Sequence, residues 1–110
     1  MTEPHKDVGD KESVDKPQYD LIPPYPLSLV AYTYTVGTKK YAARNWEKGV
    51  PPTEYLSALM RHLEKYRLGE RIDPSDGKHH LAAVVFYCFG LMQFEVTHPE
   101  LFEDTPCTKP

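Results

Sequence analysis

The chain has 110 residues, a formal charge of −3 from 13 Lys and Arg against 16 Asp and Glu, and 2 Cys. That length fits one domain, and a domain so short buries only about 60–70% of the surface its unfolded chain exposes, so a second copy would add apolar burial. The acidic balance is not that of a dedicated duplex-binding protein, and Cys88 in an apolar run with Cys107 in a proline-flanked tail makes no disulfide framework.

Residues 1–15 alternate acids and bases and hold too few hydrophobes to offset the entropy of ordering. They read as a flexible tail, without the apolar stretch of a secretory signal. Lys16-Pro17-Gln18-Tyr19-Asp20-Leu21-Ile22-Pro23-Pro24 reads as an extended arm. Its prolines fix the backbone, while Tyr19, Leu21 and Ile22 can lie on a neighbouring surface of the same or another subunit. A first helix is predicted from about Pro26 through Val36, although residues 30–36 also alternate like a strand. Leu27, Leu29, Val30, Tyr34 and Val36 fit a helical stripe, and no hairpin partner is visible.

Residues 37–52 form a connector. A second helix follows Pro51-Pro52, with Thr53 expected as N-cap, Glu54 in the first turn, and Gly69 as terminator. Leu56, Leu59, Met60 and Leu63 repeat on one face of it. Asp73-Pro74-Ser75-Asp76-Gly77 is a turn signal. A third helix is predicted over about residues 78–96, apolar around nearly its whole circumference from Leu81 to Phe94. That uncharged run is shorter than the roughly 20 residues of a membrane-spanning helix. In a small soluble protein it requires cover on all sides. The last residues are polar and proline-rich, with room for a short helix at 99–103. The expected fold is all-α, a small helical bundle with an extended N-terminal arm, completed by homo-oligomerisation. Residues 1–15 form a tail, 16–97 the helical domain, and 98–110 a C-terminal tail. A cytoplasmic setting, without membrane or duplex nucleic acid as partner, is expected.

Three stretches can carry chemistry. Lys39-Lys40-Tyr41-Ala42-Ala43-Arg44-Asn45-Trp46 gathers cations for phosphate oxygens, an amide for a base or sugar edge, and two rings for stacking on a purine. The alternative is a solvated basic loop anchored by Trp46. Arg61-His62 lies on the second helix, with His62 in a row bordering the apolar stripe, where it serves a pocket or simply packs. Residues 69–80 place Glu70, Asp73 and Asp76 before His79-His80, a set able to hold a divalent ion or, alternatively, to cap the third helix and offer its N-terminus to a phosphate. No phosphate-binding glycine loop, Cys-x-x-Cys pair or nucleophile elbow is present.

Three motifs in order carry a family resemblance. They are the segment Lys16 to Pro24; Gly37 to Gly49 with Lys40-Tyr41 and Asn45-Trp46-Glu47-Lys48-Gly49; and Arg61-His62-Leu63 followed by Gly69-Glu70-Arg71-Ile72-Asp73-Pro74, Gly77 and His80-Leu81. Over roughly residues 16 to 96 the chain resembles the N-terminal domain associated with phage dATP/dGTP diphosphohydrolases, relatives of MazG-like and MazZ-like nucleotide pyrophosphatases. The resemblance implies a helical fold and a nucleotide-linked role. MazG-type enzymes hold magnesium with Glu-x-x-Glu and, a helix later, Glu-x-x-Asp. Glu70-Arg71-Ile72-Asp73 matches the second half in spacing, whereas Glu47, Glu54 and Glu64 do not supply the first. Where the family pattern carries a His or Asn along the third helix, this chain has Ala83, Val84 and Tyr87.

Two functional readings follow. In one, Lys39, Lys40, Tyr41, Arg44, Asn45, Trp46, Arg61, His62 and His80 hold a phosphorylated purine nucleotide, such as a cyclic immune signal that a phage would sequester, without a cofactor and without cleavage. In the other, Glu70, Asp73 and Asp76 hold Mg²⁺ for a dATP/dGTP diphosphohydrolase. A structural phage subunit is the third possibility.

Overall fold

A computed structural model describes residues 15–38 and 41–103. The expected flexible tail, apart from Asp15, and the final residues 104–110 lie outside the described residues, as do Lys39 and Lys40. Three helices make the architecture: α1 (Pro24–Gly37), α2 (Pro52–Arg67) and α3 (His80–Thr97). Three single 3-10 turns accompany them, at Tyr19–Leu21, Asn45–Lys48 and Pro99–Phe102. The described chain is all-α, with one isolated bridge between Ile72 and His79.

Helix wins over strand for residues 30–36, where the strand-like residues find local bonds. Thr33 and Thr35 donate their hydroxyls to the Leu29 and Ala31 carbonyls one turn back, so β-branched polar side chains are absorbed by the helix itself. Prolines start both α1 and α2, because Pro fits the first helical position, where its missing N–H has no partner to lose. This corrects the expected N-cap: α2 begins at Pro52 with Pro51 before it, and Thr53 lies inside the first turn. The arm is likewise not continuously extended. Tyr19–Leu21 form a 3-10 turn, and Tyr19 (78% exposed) and Leu21 (73% exposed) bury little in their own chain.

Helix α3 is the central element, packed on α2, on α1 and on the final 3-10 turn. Its length and composition alone would let it cross a membrane, which corrects the count based on residues 81–94. In this fold its residues His80, Ala82, Ala83, Gly90 and Phe94 are buried. The core joins Tyr55 of α2, Phe94 of α3 and Phe102, with Trp46, Val50, Phe86, Tyr87, Leu91 and Leu101 packed against them. Gly90 makes this packing possible, since a Cβ there would overlap the Tyr55 ring. Phe102 at 8% exposure carries the core beyond Thr97. Gly49, at φ +86°, lets the 44–50 loop pass tightly over His98 and Leu101, where a Cβ would sit 3.1 Å from both side chains.

Candidate functional site

The end of α2 determines where the first polar cluster forms. Gly69 adopts φ +107°, a conformation that favours glycine. Its N–H bonds the Tyr66 carbonyl at 3.0 Å and the Glu70 N–H bonds the Lys65 carbonyl at 2.9 Å, which is the paired bonding of a Schellman stop. The chain reverses there and delivers Glu70 beside the start of α3.

Residues 71–80 then fold as a stapled loop. Asp73 N–H bonds the Lys78 carbonyl at 2.8 Å, Gly77 N–H bonds the Asp73 carbonyl at 2.8 Å, and His80 N–H bonds the Arg71 carbonyl at 3.0 Å. Asp73 Oδ1 accepts from the Ser75 N–H at 2.9 Å and hydroxyl at 2.7 Å, and these bonds hold its carboxyl below the usual range. Asp76 accepts from the Lys78 N–H at 3.0 Å and pairs with its ammonium at 3.2 Å. The cap of α3 is therefore His79, whose Nδ1 accepts from the Leu81 N–H at 3.0 Å.

These constraints place His80, fully buried, between two partners. Its Nε2 lies 2.7 Å from Glu70 Oε1, and its Nδ1 lies 2.9 Å from His62 Nδ1. An ionised carboxylate only accepts, so Nε2 donates to Glu70, and in the neutral ring Nδ1 then presents its lone pair toward His62. Burial, then the neighbouring His80 and Lys78, push the His62 imidazole below its ordinary range. Burial, then Arg71, does the same to His79. His62, Asp73 and His80 each bring a ligand atom into one group, all within 4.8 Å of one another.

A cavity of about 440 Å³ forms the second feature, between α1, the 41–50 loop, α2 and α3. Its walls are rings. Tyr34 and Phe86 meet with centroids 4.6 Å apart, Tyr55 and Tyr87 at 4.9 Å, and Tyr34 and Trp46 edge-on at 6.2 Å. Burial raises the Tyr34 phenol, and raises that of Tyr55 to about 12 with help from Tyr87 and Tyr34, so both rings stay neutral. Arg44 and Lys78 contribute the cations of the lining and Asn45 an amide; no carboxylate is among the described lining residues, although Glu47 pairs with Arg44 and Asp76 with Lys78. Arg44, at φ +62°, stands over the Trp46 ring at 5.9 Å and pairs with Glu47. Tyr87 belongs to both features, because it lines the cavity while its ring stacks 5.9 Å from His62.

The structure thus brings Tyr41, Arg44, Asn45 and Trp46 to one cavity, and His62 and His80 to the neighbouring cluster. Arg61 joins neither: exposed, it donates to Ser57 Oγ at 2.8 Å. Glu70, Asp73 and Asp76 each take a different partner: His80, Ser75 and Lys78 respectively. Sequence reading missed Lys78 and the ring wall of Tyr34, Tyr55, Phe86 and Tyr87. An aromatic every third or fourth position on apolar helices signals packing, and which rings leave space between them depends on the tertiary fit.

The family model described as dATP/dGTP diphosphohydrolase, N-terminal, matches residues 6–104. No curated protein and no solved structure matches the chain. The chain belongs to the dATP/dGTP diphosphohydrolase N-terminal family.

Proposed function

We propose that this family member holds a phosphorylated purine nucleotide in the ring-walled cavity and returns it intact. The base lies among Tyr34, Trp46 and Tyr87, and the phosphates face Arg44 and Lys78. The observation that carries this reading is a cavity with aromatic walls, two cations, an amide and no lining carboxylate. Rings give a base two flat faces to stack on, and guanidinium and ammonium groups suit phosphate oxygens. The described lining holds no Asp or Glu, and the carboxylates next to it, Glu47 and Asp76, are engaged by Arg44 and Lys78, whereas cleavage would depend on a metal to neutralise the phosphates.

Thermal shift with linear and cyclic purine nucleotides, with and without Mg²⁺, followed by chromatography of the recovered ligand, tests this. Metal-independent stabilisation with intact ligand is expected, because a ligand that binds only the native state raises its stability by mass action. Trp46→Ala should weaken binding about fivefold to 150-fold, the worth of one base stack of about 1–3 kcal/mol. Arg61→Ala should leave affinity unchanged. No stabilisation by any purine nucleotide would end the reading. The family description favours a second one, hydrolysis of dATP or dGTP, which predicts Mg²⁺-dependent conversion to the monophosphate in the same assay.

Self-association belongs to the proposal. Phe89, Met92 and Val96 on α3 are 43%, 57% and 79% exposed, and a second copy is the proposed cover for that face. Sedimentation at graded concentration checks it, with a monomer throughout as the contrary result.

A further inference from the structure

We propose that His62, His80 and Asp73 form a binding site for one divalent transition-metal ion of the zinc or cobalt kind, which ties α2 to the loop that begins α3. Donor identity comes first. Two imidazoles and one carboxylate suit zinc, cobalt, nickel or iron, whereas magnesium and calcium favour all-oxygen sets. Geometry agrees. Metal–nitrogen bonds of about 2.0–2.1 Å meeting at about 90–110° put the two nitrogens about 2.9–3.4 Å apart. The two Nδ1 atoms stand 2.9 Å apart, facing one another. The Asp73 carboxylate completes a group within 4.8 Å, and a turn of that side chain or one coordinated water spans the remaining ångström or so.

The surroundings match what such ions need. Glu70 accepts from Nε2 of the buried His80 at 2.7 Å, which fixes the tautomer that leaves Nδ1 free to donate its lone pair. A carboxylate holding the far nitrogen of a ligating imidazole is the usual support of metal-bound histidine. Two lone pairs cannot face each other at this distance without a positive centre between them, and that centre is a proton or a metal. Lys78, whose charge acts on His62, pairs with Asp76 at 3.2 Å. The loop already holds the Asp73 and His80 backbones in register through the Asp73–Lys78 and His80–Arg71 bonds, so only the Asp73 side chain, now bonded to Ser75, has to adjust. This site does not depend on nucleotide binding in the adjoining cavity.

The test uses the untagged full chain, stripped with a chelator and titrated with Co²⁺ and then Zn²⁺. Cobalt absorption gives stoichiometry, and ¹⁵N resonances of the imidazoles identify the ligands. One ion per chain is expected, with Nδ1 of His62 and His80 shifted and their Nε2 atoms much less so. His62→Ala and the isosteric Asp73→Asn should each lower affinity at least tenfold, and Glu70→Gln about tenfold to a hundredfold, the range for losing such a support. His5→Ala and His98→Ala should leave it unchanged. Circular dichroism reports whether each variant is folded, and Asp73→Asn keeps the test alive if His62→Ala unfolds. Failure of the wild type to take up one ion at about 1 mM metal overturns the proposal, as does binding that survives intact in folded His62→Ala or Asp73→Asn. Unchanged nucleotide binding in the stripped protein would separate this outcome from that of the cavity.

Discussion

The two flanks of α3 are packed in different ways. Toward α2, Tyr55 fits over Gly90 and against Phe94, and the polar end is closed by the Glu70–His80–His62 bonds. Toward α1, Val30 and Thr33 are buried, yet the rings of Tyr34, Trp46 and Phe86 leave a cavity of about 440 Å³. One apolar helix thus supports a close-packed seam and a roomy pocket. The seam can hold groups in fixed geometry, whereas the pocket can admit a ligand, because side chains that already fill their space leave none for a guest. The largest expected effect tests that contrast. Phe94→Ala, at a fully buried seam position, should cost about 3–5 kcal/mol of unfolding free energy. Val30→Ala on the pocket side should cost about 1–2 kcal/mol, at about 0.8 kcal/mol per buried methylene. Denaturant titration of both variants checks this, and equal losses would break the contrast.

A smaller effect sharpens it. Gly90→Ala adds one methyl group against the Tyr55 ring, and overpacking of this kind costs typically about 1–3 kcal/mol. Tyr55 also lines the cavity and packs on Tyr87. The same substitution should therefore weaken nucleotide-induced stabilisation, although Gly90 does not line the cavity. Wild-type stability in Gly90→Ala would mean that the seam yields more readily than its geometry implies.

Much of the seam was legible in the sequence, and little of the pocket. The Pro51-Pro52 start, the apolar stripe of α2 and the Gly69 stop are local signals, and each falls within a residue or two of its place. Thr53 misled because proline at the first helical position took the boundary one residue earlier. The sequence predicts the third helix from about residue 78 with the acidic stretch as its cap, whereas it starts at His80: His79 caps, and His80 bonds Glu70 and His62. That Glu70 reaches His80 follows from the chain reversal at Gly69, which spacing alone does not specify. The pocket depends on how Tyr34, Trp46, Tyr55 and Tyr87 meet across four segments, and no local pattern encodes the gap they leave. Nor did the apolar circumference of α3 show which part α1 and α2 would cover and which would remain exposed.

The smallest expected effect is a dependence on pH that belongs to the seam. In the folded chain, burial and the neighbouring His80 lower His62 from its ordinary 6.5, and burial lowers His79 likewise. A lowered folded value means that the unfolded chain takes up these protons first as pH falls. Stability is then fully present above about pH 6.5 and declines as pH drops from there toward the folded values, in metal-free protein. His62→Gln should flatten part of that slope, because it removes one of the two groups and keeps a polar side chain facing His80. Unfolding followed by denaturant at pH 7.5, 6.5 and 5.5 measures it. The described lining of the α1-side cavity contains no histidine, so Val30→Ala should shift the whole curve downward without changing its slope over this range. A slope unchanged in His62→Gln would assign the acid sensitivity to carboxylates or to His79 alone. A slope altered by Val30→Ala would mean that the two flanks of α3 are coupled more tightly than their packing suggests.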